Sequence, residues 1–447
     1  MEWIFSLGST ILIFIAAIFI LVTVHELGHF LAAKLFGMRV DRFSIGFPPN
    51  IFSYQKGETE YVIGATPLGG YVKIAGMIDE SMDGDFIDEE PQPDEFRSKP
   101  VWQRMIVITA GVIFNVILAI FIYAGIALTY GEEVIPVESM NGIYVAEESL
   151  AADIGLQTGD HIIGINGKEV QYFNQIFNPS AIMQRDLTFM VRRNGEVLTV
   201  NTPPNFVDRI AQDGFITPEN TLPSAISRVI DGSPADEAGL QADDQIISIS
   251  GEPVQFWVEL ANRIQRAEGD IELGVLRNGE QLTIRVTPDP ETNTIGIFNK
   301  SAREVFDVQE IRYGLAGSMG IGLRDSRDTF MGIIQGLGRM VSGDISVREN
   351  LGGPVAIANV TKEATDSRGF LGFWLITAFL SITLAIMNML PIPALDGGHF
   401  MFLVYEGIAR REPPAKVRMG LQQLGFIFLV GLIILVTFND ILRTFGG

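Results

Sequence analysis

Apolar and polar positions fall along this chain in long blocks. Four apolar runs, near Ile4–Phe36, Val101–Tyr130, Phe370–Leu390 and Leu424–Ile441, can each cross a bilayer, which takes roughly 20 helical residues. The first has no Lys or Arg before it and outlasts the apolar part of a cleavable leader, so it reads as a retained span. After it, Gly57 can turn the chain between Phe52–Lys56 and Thr59–Ile63, and a further strand pattern follows Gly70, which predicts a β-ribbon over about 51–74. Asp79–Glu95 is dense in acid, includes Pro91 and Pro93, and reads as a solvated loop. From about Glu304 to Met340 helical periodicity mixes with many glycines, which predicts a helical, amphipathic region along the membrane surface or beside a substrate path.

Between the second and third runs the sequence repeats itself. Ser149–Gly167 aligns with Ser233–Gly251 at a shift of 84 residues, and the same shift carries Arg193-Asn-Gly-Glu196 onto Arg277-Asn-Gly-Glu280. Each copy reads as a short helix, a Gly/Asp turn, an Ile-rich strand, a longer helix and a hairpin through Asn-Gly. A period this long, present twice, indicates tandem domains rather than a solenoid.

Composition narrows the class. The 447 residues carry a net charge of −21, yet mean hydropathy is positive, a combination that suggests apolar spans joined to acidic soluble parts. The acidity argues against nucleic acid as a partner. Without a single Cys, neither disulfides nor a thiolate metal site can form. Basic residues set the orientation. Arg39, Arg42, Lys56, Lys73, Arg97 and Lys99 follow the first span, and Arg410, Arg411, Lys416 and Arg418 lie between the third and fourth. Both segments therefore read as cytoplasmic, with both termini and the repeated region outside.

The candidate chemistry lies in two distant motifs. His25-Glu26-Leu27-Gly28-His29 fits H-E-x-x-H, whose two imidazoles share a helix face and can reach one ion. Glu26 lies beside them, positioned to take a proton from a zinc-bound water, whose pKa zinc lowers toward about 7, and to pass it to a leaving amine. A charged residue at the centre of a span costs about 2.5–3.5 kcal/mol on insertion scales, so the motif needs a compensating partner, which a divalent cation supplies. The bland reading is a set of polar residues hydrogen-bonded inside a helical bundle. Asn388–His399 follows the third span; Pro391 and Pro393 cannot continue a helix, and Gly397 and Gly398 permit tight backbone, so this stretch reads as unwound. Asp396 is a candidate third ligand, completing a His₂-carboxylate set with one position open. Both motifs fall toward the cytoplasmic ends of their spans and so at similar depth. Asn388 reads either as a group that stabilises an oxyanion or orients substrate, or as a helix–helix hydrogen bond. His399 reads as a packing residue behind the ligands rather than a competing ligand, and His161 as a solvated loop residue.

H-E-L-G-H in the first span, L-D-G-G near the end of the third, and the tandem repeats resemble the site-2 protease family of zinc intramembrane metalloproteases. The likeness extends to Phe43–Phe47, Thr66–Lys73 and Leu351–Ile357. The repeats, through Ala-Gly-Leu, Asp-x-Ile-Ile and the following Gly, resemble PDZ domains of the bacterial type, which bind extended chain ends by strand addition or serve as a gate or spacer over the membrane site. The family resemblance implies that His25, His29 and Asp396 ligate one Zn²⁺, that Glu26 is the catalytic acid/base, and that Asn388 meets substrate. It supports a ribbon that re-enters the membrane beside the zinc and offers an edge to unwound substrate, with Gly69, Gly70 and Tyr71 as candidate contacts; the alternative is a cytoplasmic hairpin. The implied substrates are single-span membrane proteins of the anti-sigma-factor type, with remnant signal peptides as a second class. One departure is Gly111-Val-Ile-Phe-Asn115, where the family commonly has Gly-Pro-x-x-Asn; the lost proline is expected to straighten that helix.

The expectation is thus a polytopic α-helical membrane protein of the bacterial inner membrane, with four transmembrane helices, a membrane re-entrant β-ribbon and two tandem periplasmic PDZ domains. Its segments are a first span (1–36), a loop with the ribbon (37–100), a second span (101–130), two domains (131–210 and 221–300) and a post-PDZ region (301–369). A third span with its unwound segment (370–408), a short loop (409–423) and a fourth span (424–442) complete it. The rival is a non-catalytic scaffold or receptor with structural zinc, whose repeats bind chain ends; against it, a structural site has no use for a base at Glu26. A zinc transporter would need polar residues through the whole membrane, whereas these converge at one depth.

Overall fold

The computed structural model describes residues 2–77, 90–184, 186–213, 215–267, 269–290, 292–346 and 352–445. Two compact units emerge: Met1–Gly131 with Arg312–Ile334 and Val347–Gly447, and Glu132–Ile311 with Gln335–Ser346.

The first unit is built on long helices: α1 (Glu2–Leu35), α2 (Val101–Thr129), the part of α3 (Leu315–Ser342) up to Ile334, α4 (Pro354–Met389), α5 (Asp396–Ala409) and α6 (Ala415–Phe445). Among the described residues four of them, α1, α2, α4 and α6, are long and apolar enough to cross a membrane. In lipid every backbone N–H must be satisfied within the chain, which an uninterrupted helix achieves. The inward faces carry small side chains, Ala17, Ala110, Ala119, Ala124 and Ala378, which let helices approach closely. Large apolar side chains such as Ile113, Phe121, Ile427, Ile434 and Phe438 stay exposed, as surfaces that meet lipid should. Gly369, at φ 59° and ψ −140°, breaks α4 just before Phe370, where the expected apolar span begins. From α6, the buried Asp440 carboxylate accepts hydrogen bonds from Gly353 N (3.2 Å) and Ala356 N (3.0 Å), capping the first turn of α4.

The break between α4 and α5 is shorter than the sequence implies. Asn388 is still helical, only Leu390–Leu395 are unwound, and Asp396–His399 form the first turn of α5. The prolines disrupt only their own neighbourhood, and a carboxylate in a helix's first turn is favoured by the helix dipole.

The ribbon is longer than the expected 51–74. Strand β1 (Val40–Lys56) pairs antiparallel with β2 (Thr59–Ile74), and both bend so that Phe43 faces Tyr61 and Val72, and Ile45 faces Ile63 and Gly70. Four segments result, in the order Phe52–Lys56, Thr59–Ile63, Arg42–Ile45 and Gly70–Ile74. The start was hidden because the Arg42–Ile45 segment is central: Phe43 and Ser44 are adjacent and both buried, so apolar and polar positions do not alternate there. Among the described residues, Gly70–Ile74 pairs on one side only. Of the expected acidic loop Asp79–Glu95, residues 79–89 lie outside the described residues.

The second unit contains the repeat as two sheets of one topology. In the first, β3 (His161–Ile165), β4 (Lys168–Glu169), β5 (Thr188–Arg193) and β6 (Glu196–Asn201) run in the order β4-β3-β5-β6. In the second, β7 (Gln245–Ile249), β8 (Glu252–Pro253), β9 (Ile271–Arg277) and β10 (Glu280–Val286) run β8-β7-β9-β10. Both hairpins turn at Asn-Gly with positive φ (Asn194 51° and Gly195 86°; Asn278 50° and Gly279 86°), the turn that matches strand twist. Each sheet covers its own apolar core.

A clamp recurs in each copy. Arg193 Nε and an η-nitrogen both donate to the fully buried Asp160 at 2.7 Å, and the guanidinium also donates to Gly155 O at 2.8 Å. Arg277 repeats this with Asp244 (2.7 Å twice) and Gly239 O (2.8 Å). Such bidentate pairs are strong and directional.

The copies differ where the longer helix was expected. The second has it, Trp257–Gln265, whereas the first has a 3₁₀ turn at Phe173–Phe177 and a single turn at Pro179–Ile182. Pro179 is the cause: the residue before a proline is driven out of the α region, and Asn178 stands at φ −58°, ψ 122°. The first core also takes in Ile216, Leu222 and Phe306, beyond the expected end at 210. His161 opens a strand rather than lying in a loop; burial and neighbouring Arg192 hold its imidazole below the ordinary histidine range.

Replacing Arg277 by Met strands a buried carboxylate, which costs about 3–5 kcal/mol. Limited proteolysis of the full chain should then show cleavage within 221–300 at a lower temperature than in wild type; an unchanged threshold would mean that the clamp contributes little.

Candidate metal centre

Helix α1 places His25 and His29 one turn apart on one face, and the break before α5 brings Asp396 to them. His25 Nε2 and His29 Nε2 lie 3.2 Å apart, and Asp396 Oδ2 is 3.2 Å from the first and 3.4 Å from the second. These separations test the fit of a metal ion. Ligands about 2.0–2.1 Å from a tetrahedral ion stand about 3.3–3.4 Å from one another. Three sides of such a tetrahedron are therefore already formed. His25 and His29 are both less than 10% exposed, at 7% and 9%. The carboxylate oxygen they share receives no hydrogen bond.

Donor chemistry points the same way. His29 Nδ1 donates to Val107 O at 2.8 Å, which leaves its Nε2 lone pair facing the cluster. His25 Nδ1 lies 3.1 Å from the amide of Asn115, a fully buried residue of α2 whose Oδ1 has no partner as oriented. Amide orientation is an assignment. Turned over, Oδ1 accepts from Nδ1–H, the stranded oxygen is satisfied, and His25 Nε2 also presents a lone pair. In that arrangement two imidazole lone pairs and a carboxylate converge, a group that could hold a metal ion. Ser381 Oγ holds the Asn115 backbone carbonyl at 2.7 Å, tying α2 to α4 at this level.

Close helix approach makes the contact possible. A Cβ on Gly111 of α2 would stand 2.4 Å from His29 Nε2 and 2.7 Å from His25 Cε1. The departure noted in the sequence thus contains two residues that the motif reading passed over: Gly111, which gives the imidazoles room, and Asn115, which orients one. An amide in an otherwise apolar stretch was the available signal.

Glu26 lines a cavity of about 420 Å³ together with the three candidate ligands, Phe47, Tyr71 and Leu395. Asn388 Nδ2 is 3.2 Å from His25 Nε2, so that side chain reaches the cluster and also bridges two helices. Of the expected ribbon contacts, Tyr71 lines the cavity, stacks with Phe47 (centroids 6.4 Å apart, 12° between planes) and accepts from Arg42 at 3.1 Å. Gly69 and Gly70 sit where the ribbon packs closely: a Cβ on Gly69 would enter the Phe47 ring, and one on Gly70 would stand 3.2–3.3 Å from Val22 and Glu26 of α1. His399 is not part of the ligand cluster; its Nε2 lies 3.0 Å from Gln422 Nε2.

The sequence pattern of peptidase family M50 matches residues 13–432. The regulator of sigma E protease of Haemophilus influenzae is 31% identical, over 99% of this chain and all of its own. The regulator of sigma-E protease RseP of Salmonella typhimurium is 30% identical, over 96% of this chain and 98% of its own.

Asn115→Leu should weaken metal retention about 10–100-fold, the usual cost of losing a group that orients a ligand. Asn115→Asp, which keeps the acceptor, should restore most of it. Metal content after dialysis against graded chelator measures both; equal retention in all three proteins would remove Asn115 from the centre.

Proposed function

The chain belongs to peptidase family M50 and is a multi-pass membrane metalloprotease that uses zinc, and from that premise we propose that it hydrolyses peptide bonds within the membrane-spanning segment of single-span proteins. The observation that carries this reading is the triangle of His25, His29 and Asp396 beside Glu26 within a bundle of apolar helices. These three are the proposed zinc ligands. When bound, zinc supplies Lewis acidity and a water that ionises near neutral pH.

Glu26 takes the proton of the attacking water and returns it to the leaving amine, a role worth typically 10²–10⁴-fold (an order-of-magnitude range). The Asn388 amide donates to the carbonyl oxygen as negative charge develops on it. A helical substrate keeps its carbonyls engaged, so it must be extended before it is cut. Gly70–Ile74, paired on one side only and leading into the cavity through Tyr71, offers an edge for that extended segment. Phe47 and Tyr71 contact its side chains.

The orientation is read from the basic residues: both termini and the repeated unit periplasmic, the metal centre toward the cytoplasm, the membrane the bacterial inner membrane. The names of the relatives favour a place in sigma-E regulation. We take anti-sigma-factor-type proteins as the substrates, with remnant signal peptides as a second class, as the family resemblance implies. We read the two sheets as tandem PDZ domains that act chiefly as a gate or size filter. Recognition of a chain end is open to the second copy, whose helix Trp257–Gln265 and residues Ile295–Ile297 line a groove of about 90 Å³. The first copy has no corresponding helix.

Glu26→Gln should hold zinc at the wild-type level and lose cleavage of a reconstituted single-span substrate by at least about 10²-fold; cleavage at the wild-type rate would refute the assignment of the base. Successive N–H groups of a strand point to opposite sides, so Val72→Pro and Lys73→Pro should differ. The one that removes an outward N–H should slow cleavage with zinc content unchanged. Wild-type rates in both would exclude the ribbon edge from substrate binding.

A further inference from the structure

A second cavity adjoins the catalytic one. It measures about 260 Å³ and shares Met77, Ile108 and His399 with its neighbour. Where the catalytic cavity is largely apolar, this one is lined by Arg97, Arg104, Arg418, Glu412 and Gln422. Three guanidinium groups gathered around one cavity, two of them (Arg97 and Arg418) on the segments read as cytoplasmic, require counter-charges, and two are held firmly. Arg97 Nε donates to Glu95 at 2.6 Å, and Arg104 pairs closely with Glu406; the side chains of Glu95 and Glu406 are 5% and 13% exposed.

The third carboxylate is held differently. Glu412 stands 3.5 Å from Arg104 and 3.3 Å from Arg418, both long for a charge-assisted bond, and its side chain is 41% exposed. Meanwhile, among the described residues, the buried Nε atoms of Arg104 and Arg418 and the Oε1 of the buried Gln422 have no hydrogen-bond partner. If Glu412 swings into solvent, one guanidinium charge and two Nε donors are left without a carboxylate.

Hydrolysis makes a ligand of this kind. Addition of water across the C–N bond leaves an amine on one fragment and a carboxylate on the other, and at neutral pH the carboxylate is a new charge within the membrane. We propose that the arginine-lined cavity receives this product carboxylate, with Arg418 and Arg104 as its anchors and Glu412 as the internal carboxylate it displaces. This rests on the peptidase reading of the adjoining centre. A guanidinium fork matches a carboxylate in two bonds, which an ammonium would not. A product fragment whose carboxylate enters this cavity would leave the centre without passage of a bare charge through lipid.

The test uses the purified full chain in detergent, a cleavable single-span substrate, and a peptide matching the N-terminal half of the cleaved segment as inhibitor. That peptide is made with either a free carboxylate or a carboxamide. In wild type the acid form should inhibit at least about tenfold more strongly than the amide. Arg418→Gln should bring the two toward parity, and Glu412→Gln should strengthen the acid form while leaving the amide unchanged. Opposite shifts cannot both come from misfolding, and zinc content reports that each variant keeps its centre. An acid-to-amide ratio equal in all three proteins overturns the proposal, because the preference would then belong to zinc. Its loss in wild type on adding phosphatidylglycerol to the micelles would assign the site to a lipid headgroup and overturn it too. Failure of wild type to cleave at all would instead sink the peptidase reading.

Discussion

Two imidazole nitrogens and one carboxylate oxygen, about as far apart as neighbouring ligands of a single ion, sit inside a bundle whose outer surface is made of isoleucine and phenylalanine. They are largely withdrawn from bulk water and meet only one cavity, and among the described residues nothing donates a proton to the shared oxygen. The rest of the first unit is arranged around that demand. Gly111 gives the ring atoms room, Val107 and Asn115 occupy the far nitrogens, and six unwound residues let α4 hand the chain to α5 so that its first side chain is the carboxylate. None of these features stabilises a helix in isolation; together they bring the two imidazoles and the carboxylate to one point.

Much of this could be read from the chain because its chemistry is concentrated in short motifs. H-E-x-x-H needs only helical periodicity to become half a site. Asp396 was found through Pro391 and Pro393, which announce a break, and the 84-residue repeat through its Asn-Gly turns. Harder to read were features set by the partner rather than by the local sequence. The central segment of the ribbon is covered on both sides and has no alternation to reveal it. Asn115 lies 90 positions from the histidine it orients, and an amide in a span looks the same whether it serves a helix contact or a ligand. The missing helix of the first repeat was visible in principle, since Pro179 stands in the sequence, but the likeness between copies masked it. The extent of unwinding around Asp396 was overestimated for a related reason: Gly397 and Gly398 tolerate an irregular backbone without compelling it, and the helix dipole decided the matter.

The ribbon and the break solve one problem from two sides. A peptidase in lipid must expose a peptide bond that lipid would keep folded. The ribbon, through Phe47 and Tyr71, and the non-helical stretch, through Ala394 and Leu395, both border the cavity that holds the histidines and the carboxylate. Irregular structure here is confined to the cavity wall, where protein covers it.

The paired arginine clamps lock each sheet by itself, through Asp160 or Asp244, but the two cores meet: Leu222 belongs to the first, and Trp257 packs against both. One copy keeps a long helix beside a cleft while the other has only short turns around Pro179, and any change at Trp257 would be felt by both.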